Sequence, residues 1–141
     1  MIKREELFMK VAVIGCGTIA NAAHIPAYMK NPEAEIKYFC DIIPERAEKA
    51  VKEYGCGTAV TDYHDVLKDP EVVAVSICTP NNMHPVIAID AMRAGKHVLC
   101  EKPAARTWAR CSTSMSAFVR IVRSPAWAAR LPPRPSPAAA R

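Results

Sequence analysis

The ten residues Val11–Ala20 (VAVIGCGTIA) constrain this chain more than any other stretch. Lys10–Gly15 is a continuous apolar run closed by glycine, which suits a parallel strand buried on both faces. Gly15, Gly17 and Ala20 then fit G-x-G-x-x-G/A. The pattern directly follows a strand and opens a helix, the context in which it marks a dinucleotide site. Gly15 allows the tight turn, Gly17 lets the backbone approach a pyrophosphate that a Cβ would block, and Ala20 keeps helix and strand close. The helix start adds free N–H groups and a partial positive charge facing the phosphates.

Strand-like and helix-like segments alternate after this unit. Thr18–Met29 is helix-like, and Pro26 predicts a break or restart within it. Glu35–Asp41 (EIKYFCD) is β-prone and ends on an acid. Pro44–Tyr54 (PERAEKAVKEY) reads as a helix: Pro44 suits its first turn, Ala47, Ala50, Val51 and Tyr54 make one apolar stripe, and Gly55 stops it. Asp62 with Asp65 three residues on opens a further helix to Lys68, and Pro70 follows its end. Val72–Cys78 is another buried strand, Pro85–Ala94 a helix closed by Gly95, and Lys96–Cys100 a last strand. The alternation implies right-handed βαβ units, hence an α/β fold: a Rossmann-type doubly wound parallel sheet with helices on both faces.

Polar residues cluster where such strands end, and ligands bind beyond the carboxyl ends of parallel strands. Asp41 lies about 20 residues past the glycines, where an acid accepts hydrogen bonds from the adenosine ribose. Its charge repels a 2′-phosphate, so NAD is expected over NADP, with Arg46 close enough to keep NADP in view. Thr79 and Asn81 follow Val72–Cys78 and are expected at the cofactor. His84 either joins them or caps the helix that Pro85 starts. Glu101-Lys102-Pro103 ends the last strand on the same edge. A Lys there can donate to a substrate hydroxyl and ease loss of its proton as hydride leaves. Lys102 is therefore the candidate catalytic residue.

Composition divides the chain near residue 103. From Met1 to Pro103, twelve Lys and Arg face fourteen Asp and Glu, a net of −2, whereas Ala104–Arg141 carries seven Arg, no Lys and no acid, a net of +7. The overall charge of +5 is thus a property of the tail, not of the expected domain. Ala, Arg, Pro and Ser supply 27 of the last 38 residues, and LPPRPSPAAAR suits neither helix nor central strand. A disordered or irregular tail is expected. The abrupt change is what a shifted frame of GC-rich DNA gives, and the neighbouring frame of Cys111–Val119 can be back-translated to VLDLYERV, an amphipathic helix. The expected organisation is a dinucleotide-binding domain over 9–103 and an aberrant, frameshifted or truncated tail over 104–141.

The six cysteines form no CxxC pair, so reduced thiols and no metal site are expected in a cytoplasmic protein. There is no signal peptide pattern and no apolar run near the length of about 20 that spans a bilayer, so no membrane partner is expected. Trp108 and Trp127 form no ordered basic-aromatic platform with the tail arginines, so no nucleic acid partner is expected. A sheet face left uncovered by a non-native tail predicts self-association.

Together, VAVIGCGTIA, the Asp-ended second strand, CTPN with His84 just after, and AGKHVLCEKP resemble the N-terminal half of the glucose–fructose oxidoreductase/inositol dehydrogenase (Gfo/Idh/MocA) family, over about Lys10 to Pro103. The resemblance implies an NAD(P)-dependent oxidoreductase acting on carbinol carbons of sugars, inositols and related compounds. It places Gly15, Gly17, Thr18 and Ile19 along the pyrophosphate, Asp41 at the ribose, and Thr79, Pro80, Asn81 and His84 along the cofactor. Glu101 and Lys102 reach the nicotinamide side, with Lys102 near a small polyol or sugar substrate. The family continues into a substrate-binding domain that supplies an Asp and a His. Nothing here matches that domain, which leaves a non-catalytic dinucleotide-binding module as the alternative reading.

Overall fold

A computed structural model describes residues 9–103, so the expected tail over 104–141 lies outside the described residues. The strands are β1 (Met9–Ile14), β2 (Ala34–Cys40), β3 (Thr58–Val60), β4 (Ala74–Ile77) and β5 (His97–Cys100), and the helices α1 (Ile25–Lys30), α2 (Pro44–Tyr54), α3 (Tyr63–Lys68) and α4 (His84–Arg93). All strand pairs are parallel, in the order β3-β2-β1-β4-β5. The chain runs outward from β1 through β2 to β3, then returns to lay β4 on the other side of β1. The order in which strands are added therefore reverses between β1 and β4, the topological switch point at which open α/β sheets bind ligands.

The lack of alternation in β1 has the expected cause. Val11, Ala12, Val13 and Ile14 are all buried, and successive side chains enter opposite layers. Ala12 and Ile14 join Val66, Val72, Val75, Ile77, Ile87 and Ala91 beneath α3 and α4. Val11 and Val13 join Ala20, Ile25, Ile36, Phe39, Ala47 and Ala50 beneath α1 and α2. Helix α2 matches its sequence signals: Pro44 opens it and Gly55 ends it at φ 67°, a left-handed angle that costs glycine little. Asp62 caps α3 by accepting the His64 N–H.

Two features add to the sequence expectation. The short edge strand β3 pairs Thr58–Val60 with Tyr38–Cys40, and three residues are too few to show a period. Pro26 stands in the first turn of α1, which restarts there after a π turn. Helical turns run from Thr18 to Lys30 and widen into a π turn at Ala20–His24, where the Ile25 N–H donates to the Ala20 carbonyl. The wider turn carries the backbone past the proline, which has no N–H to donate and whose ring would clash with a carbonyl four residues back.

The strand register brings the site together. Gly15 N–H donates to the Cys40 carbonyl, Asp41 N–H to Val60, Cys78 N–H to Ile14 and Glu101 N–H to Ile77. Gly15, Asp41, Cys78 and Glu101 thus stand at one level along the carboxyl edge. At the opposite end, Lys37 pairs with Asp69 at 2.5 Å and with Glu71, and the Tyr38 hydroxyl donates to Asp69 at 2.8 Å. This polar cluster lies across the sheet from the site.

Candidate functional site

Gly15 is fixed by two independent constraints. Its φ is 93°, and a Cβ would lie 2.6 Å from the Cys78 carbonyl carbon and oxygen and 2.8 Å from the Thr79 nitrogen. The loop after β1 is thus pressed onto the loop after β4. Gly17 meets neither constraint: its φ is not left-handed, and beyond its chain neighbours no heavy atom of the described residues lies within 4 Å of a Cβ built there. The fold does not require glycine at position 17, and the space beside it is the opening a phosphate would use. Thr18 and Ile19 are exposed where the helix starts, and Ala20 is fully buried against the sheet.

The loop is held from two sides. Asn21 Nδ2 donates to the carbonyls of Cys16 at 3.0 Å and Gly17 at 2.8 Å. Asp41 Oδ2 accepts the Cys16 N–H at 2.9 Å, and its Oδ1 accepts the Ile43 N–H at 2.9 Å. Asp41 is only 8% exposed, so the expected ribose acceptor also clamps the glycine loop. Each carboxylate oxygen keeps a lone pair beyond these bonds. Buried around the loop, the thiols of Cys16, Cys40 and Cys78 are pushed up to about 12 by desolvation, with nearby charges adding to it. They stay neutral and pack as small apolar groups.

Across the switch point, Thr79 Oγ1 is buried without a hydrogen-bond partner among the described residues. A buried hydroxyl normally finds a partner, so this atom fits a ligand group. Pro80 and Asn81 are exposed beside it. His84 is 1% exposed at the first residue of α4. Its ring caps no helix N–H. Nε2 lies 2.7 Å from the Thr79 carbonyl and Nδ1 2.8 Å from the Pro103 carbonyl. Carbonyl oxygens only accept, so an imidazolium satisfies both and a neutral ring satisfies one.

The Glu101-Lys102-Pro103 turn follows β5, its Lys102–Pro103 peptide is cis, and Lys102 is exposed. Glu101 meets a group that sequence reasoning missed. His24, in the π turn, places Nε2 2.5 Å from Glu101 Oε1 and Nδ1 2.7 Å from Ser76 Oγ, and the Tyr28 hydroxyl donates to Ser76 at 3.3 Å. The His24 bond, helped by the Lys102 N–H and nearby positive charge, holds the Glu101 carboxyl below its usual range against partial burial. Ser76 is the hydroxyl residue within the apolar VVAVSIC strand and is fully buried, which was its available signal. Among the described residues no cluster of His, Cys, Asp and Glu could hold a metal ion, and no helix is long and apolar enough to cross a membrane.

The edge therefore brings the glycine loop, Asp41, the Thr79–Asn81 loop and the Glu101–Lys102 turn together. The open space at Gly17 and the orphaned Thr79 hydroxyl both suit a dinucleotide. Known proteins resemble this chain in sequence and fold. The chain is 36% identical over 106 residues to a levoglucosan dehydrogenase of Pseudarthrobacter phenanthrenivorans, covering 70% of this chain and 27% of that protein. It is 38% identical over 105 residues to an inositol 2-dehydrogenase/D-chiro-inositol 3-dehydrogenase of Lactiplantibacillus plantarum, covering 72% and 29%. KijD10, a 3-ketoreductase from Actinomadura kijaniata crystallised with NADP and TDP-benzene, superposes with a TM-score of 0.75 at 30% identity, over 81% of this chain and 35% of that one. The chain thus spans less than a third of the length of these two curated relatives. The Gfo/Idh/MocA signature matches residues 9–120, and the chain belongs to that oxidoreductase family, in its NAD-binding Rossmann fold.

Proposed function

We propose that this chain is the cofactor-binding half of an NAD-dependent oxidoreductase acting on a hydroxyl of a sugar, inositol or related compound. The observation that carries the proposal is the contrast between Gly15, which the fold requires, and Gly17, beside which the described residues leave the open space that a phosphate would need. In this reading the dinucleotide lies along the carboxyl edge. Gly15, Gly17, Thr18 and Ile19 line its pyrophosphate, and Asp41 accepts from its ribose. Thr79, Pro80, Asn81 and His84 flank it, and Glu101 and Lys102 stand at the nicotinamide side. Residues 9–103 form the binding domain and residues 104–141 lie outside it.

When bound, the nicotinamide accepts or supplies the hydride. The protein's own contribution is orientation and charge. Asp41 disfavours a 2′-phosphate by repulsion, which favours NAD over NADP. Lys102 donates a hydrogen bond to the substrate oxygen, so the charge that builds up as the hydroxyl proton leaves is offset.

Amide hydrogen exchange of the full chain with and without NADH tests this reading. Protection is expected at residues 15–19, 79–81 and 101–102 and nowhere on the opposite edge. Protection confined to other segments, or absent, would sink the proposal. A stable NADH complex without hydride transfer to any polyol would favour the binding-module reading.

A further inference from the structure

We propose that His24 is a positioning residue for the Glu101–Lys102 turn, tying it to the helix that carries the glycine loop. The two residues lie 77 positions apart in sequence, and their contact closes the carboxyl edge from one side of the site to the other. Three observations carry the inference.

The first is geometry. His24 Nε2 lies 2.5 Å from Glu101 Oε1, while Glu101 Oε2 accepts the backbone N–H of Lys102 at 3.3 Å. A carboxylate only accepts, so Nε2 carries the proton whether the ring is neutral or charged. The Glu101 side chain thus bridges His24 and the backbone from which the Lys102 side chain extends. The second is what holds His24. Its Nδ1 lies 2.7 Å from the fully buried Ser76 hydroxyl, which in turn accepts from Tyr28. The ring has a partner on each nitrogen, so its direction is fixed before any ligand arrives. The third is the π turn. His24 is its last residue, and the helical turns that contain it start at Thr18, directly after the glycines. A displacement of that helix start is carried by the His24 ring to Glu101.

Ser76, His24 and Glu101 have the residue types of a nucleophilic triad. Ser76 is fully buried in the middle of β4 and accepts from Tyr28, so it has no access to a substrate. The group serves position and not nucleophilic attack.

The inference rests on the reading above in one respect, that Lys102 faces the nicotinamide side. Its test has two arms on the 141-residue chain. In the first, the Glu101 carboxyl is titrated by carbon NMR in wild type, His24→Ala and His24→Gln. Its pKa is expected to rise in His24→Ala and to return most of the way in His24→Gln, which keeps an N–H donor on that side. In the second arm, the affinities of NADH and ADP-ribose are compared. Removal of a hydrogen bond to a charged group is expected to weaken NADH about tenfold in His24→Ala. ADP-ribose, which lacks the nicotinamide end, keeps its affinity to within about twofold on the same argument. An unchanged Glu101 titration in a folded His24→Ala variant overturns the inference. Equal losses for NADH and ADP-ribose also overturn it, since His24 would then only support the fold. If the wild-type chain binds neither nucleotide, the functional reading fails on its own and the Glu101 titration still decides the His24 contact.

Discussion

The Asp41 carboxylate accepts the Cys16 N–H at 2.9 Å. The acid at the end of β2 therefore holds the glycine loop in shape as well as facing the expected ribose. Its replacement has two separable effects. Asp41→Ala leaves the Cys16 and Ile43 N–H groups without their acceptor, which costs about 1.5–3 kcal/mol for bonds to a charged group. Urea unfolding reads this as a lower midpoint at unchanged slope. Asp41→Ser keeps a short acceptor and removes the charge. It should lose less stability and raise affinity for NADPH relative to NADH.

The two motif glycines should respond in opposite ways. Gly15→Ala imposes a left-handed angle of φ 93° on a residue with a Cβ, and drives that Cβ to 2.6 Å from the Cys78 backbone. The angle costs about 1–2 kcal/mol and the overpacking about 1–3 kcal/mol. A large fall in thermal midpoint is expected. Gly17→Ala crowds no atom of the described residues beyond its chain neighbours and should change stability by no more than about 0.5 kcal/mol, as at an unconstrained site. It should nevertheless weaken NADH at least about tenfold, because the methyl group occupies the phosphate approach. Paired melting and binding curves on the two variants check this.

Asp69 makes stability depend on acid. Burial raises its carboxyl pKa, but the hydrogen bonds from Lys37, the Glu71 N–H and Tyr38 outweigh that and bring it to about 2, from 3.8. The folded value is below the unfolded one, so the contribution is fully present above pH 3.8 and is lost as pH falls towards about 2. Urea midpoints measured between pH 5 and 2 should fall across that window. In Asp69→Asn the fall should be shallower, and stability at pH 7 lower.

Native-state alkylation should follow burial. The thiols of Cys16, Cys40 and Cys78 are pushed up to about 12 and that of Cys100 to about 11, mainly by desolvation. Cys56 is half-buried. With iodoacetamide at pH 8, mass spectrometry should find Cys56 modified well before Cys16, Cys40 and Cys78. Early loss of Cys16 would mean that the glycine loop is open in solution.

The fold was legible where burial and local chemistry agree. VAVIG reads as a buried strand because every residue of it faces a packed layer, and PERAEKAVKEY carries its own start, stripe and stop. Thr58–Val60 was not legible, since an edge strand of three residues is held by pairing with β2 and not by a pattern of its own. The π turn was equally hidden, because Pro26 signals a disturbance and not its form. In the site, the glycines, Asp41 and Glu101-Lys102-Pro103 could be read because each sits at the end of an apolar run. His24 could not, because a histidine within a helical segment shows nothing of a carboxylate 77 residues away. Asp41 and His84 were read as groups facing the cofactor. Their bonds to backbone also make them struts between loops, a role that only the folded register displays.

The most direct measurement is a calorimetric titration of the full chain with NADH and with NADPH. The account predicts saturable binding of NADH, affinity for NADPH weaker by about tenfold or more from charge repulsion at Asp41, and loss of both in Gly17→Val. A folded chain that binds neither nucleotide, or that prefers NADPH with Asp41 intact, would contradict it.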